Sequence, residues 1–322
     1  MPQRSVKRAA RRAKVEGLTA TAQPPRDFAY TSRTTPSERH LDHNEDCRVI
    51  DRHRGLAAVF DGVGGSVAGG LAAQVAALVI REGWRELVRQ WQPARPTNTL
   101  GAADPVAVSA ALLTLLGQAH EQVCEAGARL AEAGLALDGD ASPATTVALV
   151  TFFRQPECDR HTMAYAWIGD SRVYLLRGAE PITRLTQDDG LLTRLVQDQV
   201  LTPAQETFID QATDAGLLTE LGLMLFSQRN GITQSLGGPK PPEAHCATME
   251  LAPGDVILLS TDGIHDNLTD ATLEEALRHT PRPRAAGRLV ALALRSSRQD
   301  LNDWLRAKPD DMTAVVIAHA GE

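Results

Sequence analysis

The stretch VFDGVGGSVAGG, residues 59–70, joins an apolar run to a glycine-rich segment through one carboxylate, Asp61. The run before it, Leu56–Phe60, is typical of a buried strand, and the segment after it begins a predicted helix over 67–91. That helix is predicted from apolar residues that repeat at helical spacing, namely Ile80, Trp84, Leu87 and Trp91. The residues alone leave two interpretations of Asp61 open, a ligand at the end of a strand or the cap of the following helix.

The composition is that of a globular protein, with 322 residues of which 43% are hydrophobic and 23% are charged. The net charge of −7 argues against a nucleic-acid-binding surface. Residues 1–25 are expected to form a basic tail, either a solvated end or a segment that contacts a partner or an acidic membrane surface.

No uninterrupted apolar run in the sequence reaches the roughly 18 residues of a membrane span. The four cysteines are far apart in the chain and contain no CxxC pair, so the sequence predicts neither a zinc site nor a disulfide framework. Without an export signal, the expected location is the cytoplasm, and no transmembrane segment is expected.

The order of the predicted elements favours an α+β layered fold with antiparallel sheets and helices on the outer faces. Residues 47–60 predict a hairpin, and Asp104-Pro105 predicts the start of a helix that runs to about Ala133. Residues 162–178, TMAYAWIGDSRVYLLRG, predict two strands that meet at a tight turn. Further strands are expected at 145–153, 246–263 and 312–319, and further helices at 270–277 and 285–297.

Several carboxylates share one position, the end of a predicted strand. They are Glu45, Asp46, Asp61, Asp170, Asp262, Asp310 and Asp311. If these strands are neighbours in a sheet, the carboxylates meet at one edge, and like charges raise one another's pKa unless a cation is present. A hard divalent cation such as Mg²⁺ or Mn²⁺ is the natural counter-charge. Each aspartate could instead be an ordinary turn or cap residue.

Eight motifs, taken in order, make the chain resemble the metal-dependent serine/threonine protein phosphatases of the protein phosphatase 2C type, over residues 28–318. The motifs are NED at 44–46, VFDGVGG at 59–65, SPATTVAL at 142–149, WIGDSRVYLLR at 167–177, LTQDDG at 185–190, ITQSLGG at 232–238, LLSTDGIHDNL at 258–268 and DDMTAVVI at 310–317. The resemblance implies a four-layer α/β-β/α sandwich in one catalytic domain, residues 26–320. It also implies a helical flap at about 187–238, beside the active site.

The resemblance assigns the site residue by residue. Asp61 would bridge two Mn²⁺ or Mg²⁺ ions, and Asp61, Asp262 and Asp310 would be the catalytic carboxylates. The remaining implied ligands are the Gly62 carbonyl, Glu45 and Asp46, and Asp170 with Asp262 at a third, weaker metal.

The implied activity is hydrolysis of phosphoserine and phosphothreonine in proteins by a hydroxide that bridges the metals, without a phosphoenzyme. The implied partners are phosphoproteins and a cognate serine/threonine kinase, with the phosphatase itself a monomer. A second hypothesis is a catalytically weak or inactive module that binds or regulates through the same fold.

Departures from the family pattern keep that second hypothesis open. Val63 stands where many members have a histidine proposed to protonate the leaving group, and Leu41 stands where they have a phosphate-binding arginine. Arg39 could substitute for that arginine or be an ordinary surface residue. His265 replaces a common tryptophan, with a packing role and a proton-transfer role both open.

An insertion at Thr207–Phe226 has no counterpart in the family pattern. It is either a helix packed on the flap or a docking surface for a substrate or partner. His40 and His43 form an HxxH pair for which no third ligand is evident, and they are interpreted as loop residues.

Overall fold

The computed structural model describes residues 27–63, 67–91, 102–134, 143–155, 160–300 and 304–320. The predicted basic tail, 1–25, lies outside the described residues. Within them the strands are β1 Phe28–Thr35, β2 Cys47–Asp51, β3 Leu56–Phe60, β4 Gly62–Val63, β5 Ala144–Thr145, β6 Val147–Arg154, β7 His161–Ile168, β8 Arg172–Leu176, β9 Thr183–Arg184, β10 His245–Glu250, β11 Val256–Ser260 and β12 Met312–His319.

The helices of the described residues are α1 Val67–Trp91, α2 Pro105–Glu132, α3 Leu191–Gln197, α4 Pro203–Asp210, α5 Glu220–Ser227, α6 Asp262–His265, α7 Asp270–His279 and α8 Ala285–Ser297, with 3₁₀ turns at 215–217 and 282–284. The bounds of α1 are those predicted from the spacing of its apolar residues. Asp104 caps α2 as predicted, since its carboxylate accepts hydrogen bonds from the backbone N–H groups of Val106 (3.3 Å) and Ala107 (3.2 Å). None of these helices is long and apolar enough to cross a bilayer.

Two antiparallel sheets form the centre of the described structure, with strand orders β1-β12-β11-β8-β9 and β10-β7-β6-β3-β2. The predicted hairpin at 47–60 is confirmed as the β2–β3 pair. Strand β1, which the sequence analysis did not assign, pairs with β12 from Phe28 opposite His319 to Thr35 opposite Met312. A separate pair, β4–β5, places Gly62 opposite Thr145.

The side chains of β6 show why the fold has four layers. Val147, Leu149 and Phe153 enter the core beneath α1 and α2, whereas Ala148 and Val150 enter the core between the two sheets. Successive side chains of a strand point to opposite faces, so a continuous apolar run is buried on both sides. A third core joins the other sheet to α7 and α8. The predicted α+β sandwich is therefore confirmed.

Two tight turns carry the chain from one sheet to the other. The turn after β7 was predicted, but β7 pairs with β6 and β10, and β8 pairs with β11 and β9. Gly169 makes this turn possible because its φ is +92° and a Cβ atom there would lie 2.7 Å from the Thr146 side chain. The turn between β10 and β11 switches sheets in the same way. At each of these turns, the strand before it and the strand after it therefore lie in different sheets and pair with other strands, not with each other.

The predicted flap is a helical unit with a small core of its own. Its described helices α3, α4 and α5 bury an apolar cluster made of Leu192, Ile209, Ala212, Leu225 and Phe226. Four of these residues, all except Leu192, belong to the insertion and pack inward. Leu217 and Leu221 of the same insertion are about 60% exposed.

Candidate active site

Five of the seven predicted carboxylates line one cleft of 440 Å³ at the end of the sandwich. This edge collects the residues that follow β3, β7 and β11 and the residues that precede β2 and β12. The predicted site residues that line the cleft are Arg39, Glu45, Asp61, Gly62, Asp170, Asp262 and Asp310. The structure therefore brings together side chains that are up to 271 positions apart in the chain, from Arg39 to Asp310.

Asp61 is held at this edge by its own backbone. Its carbonyl accepts hydrogen bonds from the Thr146 N–H (2.8 Å) and the Thr145 hydroxyl (2.7 Å). The next residue, Gly62, lies so close to α1 that a Cβ atom there would be 2.4 Å from the Gly69 carbonyl carbon. Glycine is thus required at position 62 because two backbone segments touch. This contact holds the backbone directly after Asp61 against α1.

The pKa of Asp61 is raised well above its usual range, first by burial and then by the neighbouring charges of Asp262, Asp46, Asp310 and Asp170. Burial followed by neighbouring carboxylates likewise raises the pKa of Asp170. Burial also raises the pKa of Asp262, to about 6, even though a lysine opposes the shift. Carboxylates that raise one another's pKa form a site with unbalanced negative charge, which a cation would stabilise.

Unpaired oxygens point to the same need for a cation. Among the described residues, Glu45 Oε1 and Asp46 Oδ1 are buried without a hydrogen-bond partner. Asp46 does not line the cleft, and its other oxygen accepts a hydrogen bond from the Thr261 hydroxyl (2.8 Å). Carboxylate and carbonyl oxygens suit Mg²⁺ or Mn²⁺. No three His, Cys, Asp or Glu side chains of the described residues already converge on a single point as a finished metal site.

Lys308 is the residue at this edge that the sequence analysis missed. Its ammonium contacts Asp262 and lies 3.1 Å from Asp310 and 2.9 Å from Asp266. Burial would raise the pKa of Asp266, but Lys308 and Arg229 hold it below its usual range. The only sequence signal for this role is that Lys308 comes two positions before Asp310.

Asp311 fixes the loop that carries Arg39 and Glu45. One of its oxygens accepts a hydrogen bond from the Ser37 N–H (2.6 Å), and the other accepts one from the Glu45 N–H (2.5 Å). Asparagine has one acceptor oxygen and one NH₂ group, so it could not accept from both N–H groups. The aspartate is therefore matched to this loop.

The departures noted in the sequence have different surroundings. Leu41 is 73% exposed and does not line the cleft, whereas Arg39 is exposed and does line it. Val63 also lines the cleft. His40, interpreted from the sequence as a loop residue, lies in the cleft wall and hydrogen bonds through Nδ1 to the His43 carbonyl (3.3 Å).

His265 lies outside the cleft lining and is buried, with Nδ1 3.0 Å from the Ser260 hydroxyl. Burial lowers its pKa well below the usual range, and the charge of Arg172 acts in the same direction. These surroundings favour the packing role over proton transfer.

A second charged group, the arginine network, ties the flap to the sandwich. It consists of Arg172, Arg184, Arg306, Asp188, Glu206 and Asp210. The Arg172 guanidinium lies 2.6 Å from Asp188 and 2.9 Å from Asp210. Burial would raise the pKa of Asp210, but Arg172, Arg184 and Arg306 hold it below its usual range. The sequence analysis did not identify this network.

Comparison with known proteins gives the following similarities. A family model described as protein phosphatase 2C matches residues 42–306. The serine/threonine protein phosphatase PstP of Mycobacterium tuberculosis is 34% identical over 149 residues, which cover 46% of this chain and 23% of that protein. The matched segment thus spans about a quarter of the relative's length.

Two solved structures extend the similarity to the whole fold. The M. tuberculosis PstP/Ppp structure is 25% identical, covers 91% of this chain and 99% of that one, and has a TM-score of 0.65. A structure of the PstP catalytic domain in complex with two manganese ions is also 25% identical, covers 91% of this chain and 98% of that one, and has a TM-score of 0.62.

Proposed function

Because the chain belongs to the protein phosphatase 2C family, we propose that it is a metal-dependent phosphatase that hydrolyses phosphoserine and phosphothreonine in proteins. The observation that carries the proposal is the set of five carboxylates that line one cleft, together with the buried, unpaired oxygens of Glu45 and of its neighbour Asp46. A cognate serine/threonine kinase would supply the substrates. The monomeric state and the cytoplasmic location stay predictions.

The residues of the cleft edge divide between two proposed Mn²⁺ or Mg²⁺ ions. Asp61 would contact both ions, with Glu45 and the Gly62 carbonyl at one of them and Asp262 and Asp310 at the other. When bound, such ions supply positive charge for a phosphoryl group and acidify the water that attacks phosphorus.

The outer residues support this arrangement. Asp46 would hold the Glu45 segment through its hydrogen bond to Thr261. Asp170, whose pKa is raised by burial and by Asp262, would join Asp262 at a third ion.

The chain's own side chains would bind and orient the phosphate group. Arg39 lines the cleft, whereas position 41 does not, so Arg39 would present the cation to a dianionic phosphate group. Val63 has no proton to donate, so the leaving-group oxygen must take its proton from another source. The alternative of a non-catalytic module gains no support, because all the predicted carboxylate ligands except Asp46 line the cleft.

The proposal is tested with an aryl phosphate and a phosphothreonine peptide, assayed with Mn²⁺ and again with excess chelator. We expect hydrolysis of both with Mn²⁺, none with chelator, and a loss of activity in Asp262→Ala. Asp198→Ala is the matched control, because the Asp198 side chain is 63% exposed in the flap. A wild-type protein as inactive as Asp262→Ala would contradict the proposed activity.

A further inference from the structure

Lys308 is fixed in place by its backbone as well as by its charge. Its N–H donates to the Asn267 side-chain oxygen (3.0 Å), and its carbonyl accepts from the Asn267 NH₂ group (2.8 Å). Asn267 itself is fully buried. These two hydrogen bonds hold the lysine stem at the cleft, so the ammonium reaches the carboxylates from a defined point.

Two of the three carboxylates around the ammonium, Asp262 and Asp310, are the proposed ligands of one metal ion. The third, Asp266, has no proposed metal role and is 3% exposed. The Lys308 ammonium lies 3.1 Å from Asp310 and also contacts Asp262, so it neutralises the carboxylates that a divalent cation would bind. Two cations cannot share this position without strong repulsion.

We infer that Lys308 is a built-in competitor of the metal ion held by Asp262 and Asp310. The inference rests on the proposed function. In the absence of metal, the ammonium stabilises the carboxylates at this end of the cleft. Metal binding there requires the ammonium to move away from Asp262 and Asp310, and it can remain paired with Asp266. The competition makes this position weaker for metal than the position formed by Asp61, Gly62 and Glu45.

The exchange needs a side chain that can move while its backbone stays fixed. A lysine suits this role because its compact charge sits on a flexible four-carbon stem. The ammonium lines the cleft and its side chain is 26% exposed, so space exists for it to turn toward Asp266 and solvent.

The test is a Mn²⁺ titration by calorimetry of the wild type, Lys308→Met, Lys308→Arg and Lys240→Met. Methionine removes the charge and keeps an unbranched stem, arginine keeps the charge, and Lys240 is an exposed lysine outside the cleft lining. We expect Lys308→Met to bind Mn²⁺ at the weaker position, the one held by Asp262 and Asp310, at least about tenfold more tightly than the wild type does. Lys308→Arg and Lys240→Met should bind it as weakly as the wild type does.

Equal Mn²⁺ affinity in the wild type and Lys308→Met would overturn the inference. If Lys308→Met does not fold without metal, it is prepared with Mn²⁺ and its affinity is measured by competition with a chelator of known affinity. A failure of all four proteins to bind Mn²⁺ would instead contradict the proposed function. Asp61→Asn distinguishes the cases further, since it should weaken Mn²⁺ binding whether or not Lys308 competes.

Discussion

Two groups of buried charged side chains in this molecule differ in whether opposite charges balance one another. In the arginine network, each described carboxylate faces a guanidinium, as Asp188 and Asp210 face Arg172. At the cleft edge, the carboxylates face one another, and Lys308 is the cation that contacts them among the described residues. The pKa of Asp210 is therefore lowered, although burial opposes this, whereas that of Asp61 is raised.

The difference separates a structural cluster from a candidate site. A balanced cluster needs no partner from outside the chain, and removing one member leaves an uncompensated buried charge. An unbalanced cluster lowers the stability of the metal-free fold and gains stability from a bound cation. The same substitution should therefore have opposite effects on stability in the two groups.

The largest effect is expected from breaking the balanced group. Arg172→Met leaves Asp188 and Asp210 buried without their main partner and should lower the free energy of unfolding by about 3–5 kcal/mol. Urea unfolding measures this change. Arg194→Met is the matched control, because Arg194 is 71% exposed and 4.0 Å from Asp198, and it should change stability by less than about 1 kcal/mol.

The next effect comes from neutralising the unbalanced group. Asp61→Asn should reduce phosphatase activity at least about a hundredfold, because it removes the proposed bridging ligand. The metal-free protein should nevertheless be as stable as the wild type or more stable, since one repelling charge is gone. Asp210→Asn should instead lower stability. A loss of metal-free stability in Asp61→Asn equal to that in Arg172→Met would end the distinction between the groups.

A smaller effect is expected at the neighbouring residues Asp310 and Asp311, because Asp311 accepts two backbone hydrogen bonds whereas Asp310 is a proposed metal ligand. Asp311→Asn places an NH₂ group against the N–H of Ser37 or Glu45, and it should cost about 1–3 kcal/mol of stability. Asp310→Asn, one position earlier, should cost little stability and mainly weaken Mn²⁺ binding. Unfolding and Mn²⁺ titration of both variants separate the two roles, and equal loss of stability would contradict them.

Arginines of the two regions offer another contrast. Arg39 lines the cleft and is exposed, so Arg39→Ala should leave stability unchanged, unlike Arg172→Met. It should raise KM for an aryl phosphate by about fivefold to tenfold and change kcat less. Steady-state kinetics check this, and an unchanged KM would remove Arg39 from the proposed phosphate site.

The smallest effect concerns the outer face of the flap. Removing the insertion would also remove Asp210 from Arg172, so surface substitutions are the better test of a docking role. The double variant Leu221→Ser/Met224→Ser should lower kcat/KM for a phosphoprotein by about twofold to fivefold, with an aryl phosphate unaffected. Leu113→Ser, an exposed leucine of α2, is the control. Equal effects on both substrates would favour a packing role alone.

The sequence by itself determined most of the longer elements and their order, although not β1. The apolar spacing over 67–91 gave the bounds of α1, and Asp104-Pro105 gave the start of α2, because helix periodicity and capping are local properties. The motifs also placed Asp61, Asp262 and Asp310 at strand ends. A shared edge could be inferred from them because the ends of neighbouring strands meet at the rim of a sheet.

Only the tertiary structure decided which charges touch. The Lys308 contact with Asp262 spans 46 positions, and the hydrogen bond from Ser37 to Asp311 spans 274. The sheet-switching turn at Gly169 likewise depends on Thr146, which lies between β5 and β6. Such contacts arise when distant segments pack, and no local pattern encodes them. Strand ends predicted where the carboxylates gather, and packing decided which of them face a cationic partner and which face one another.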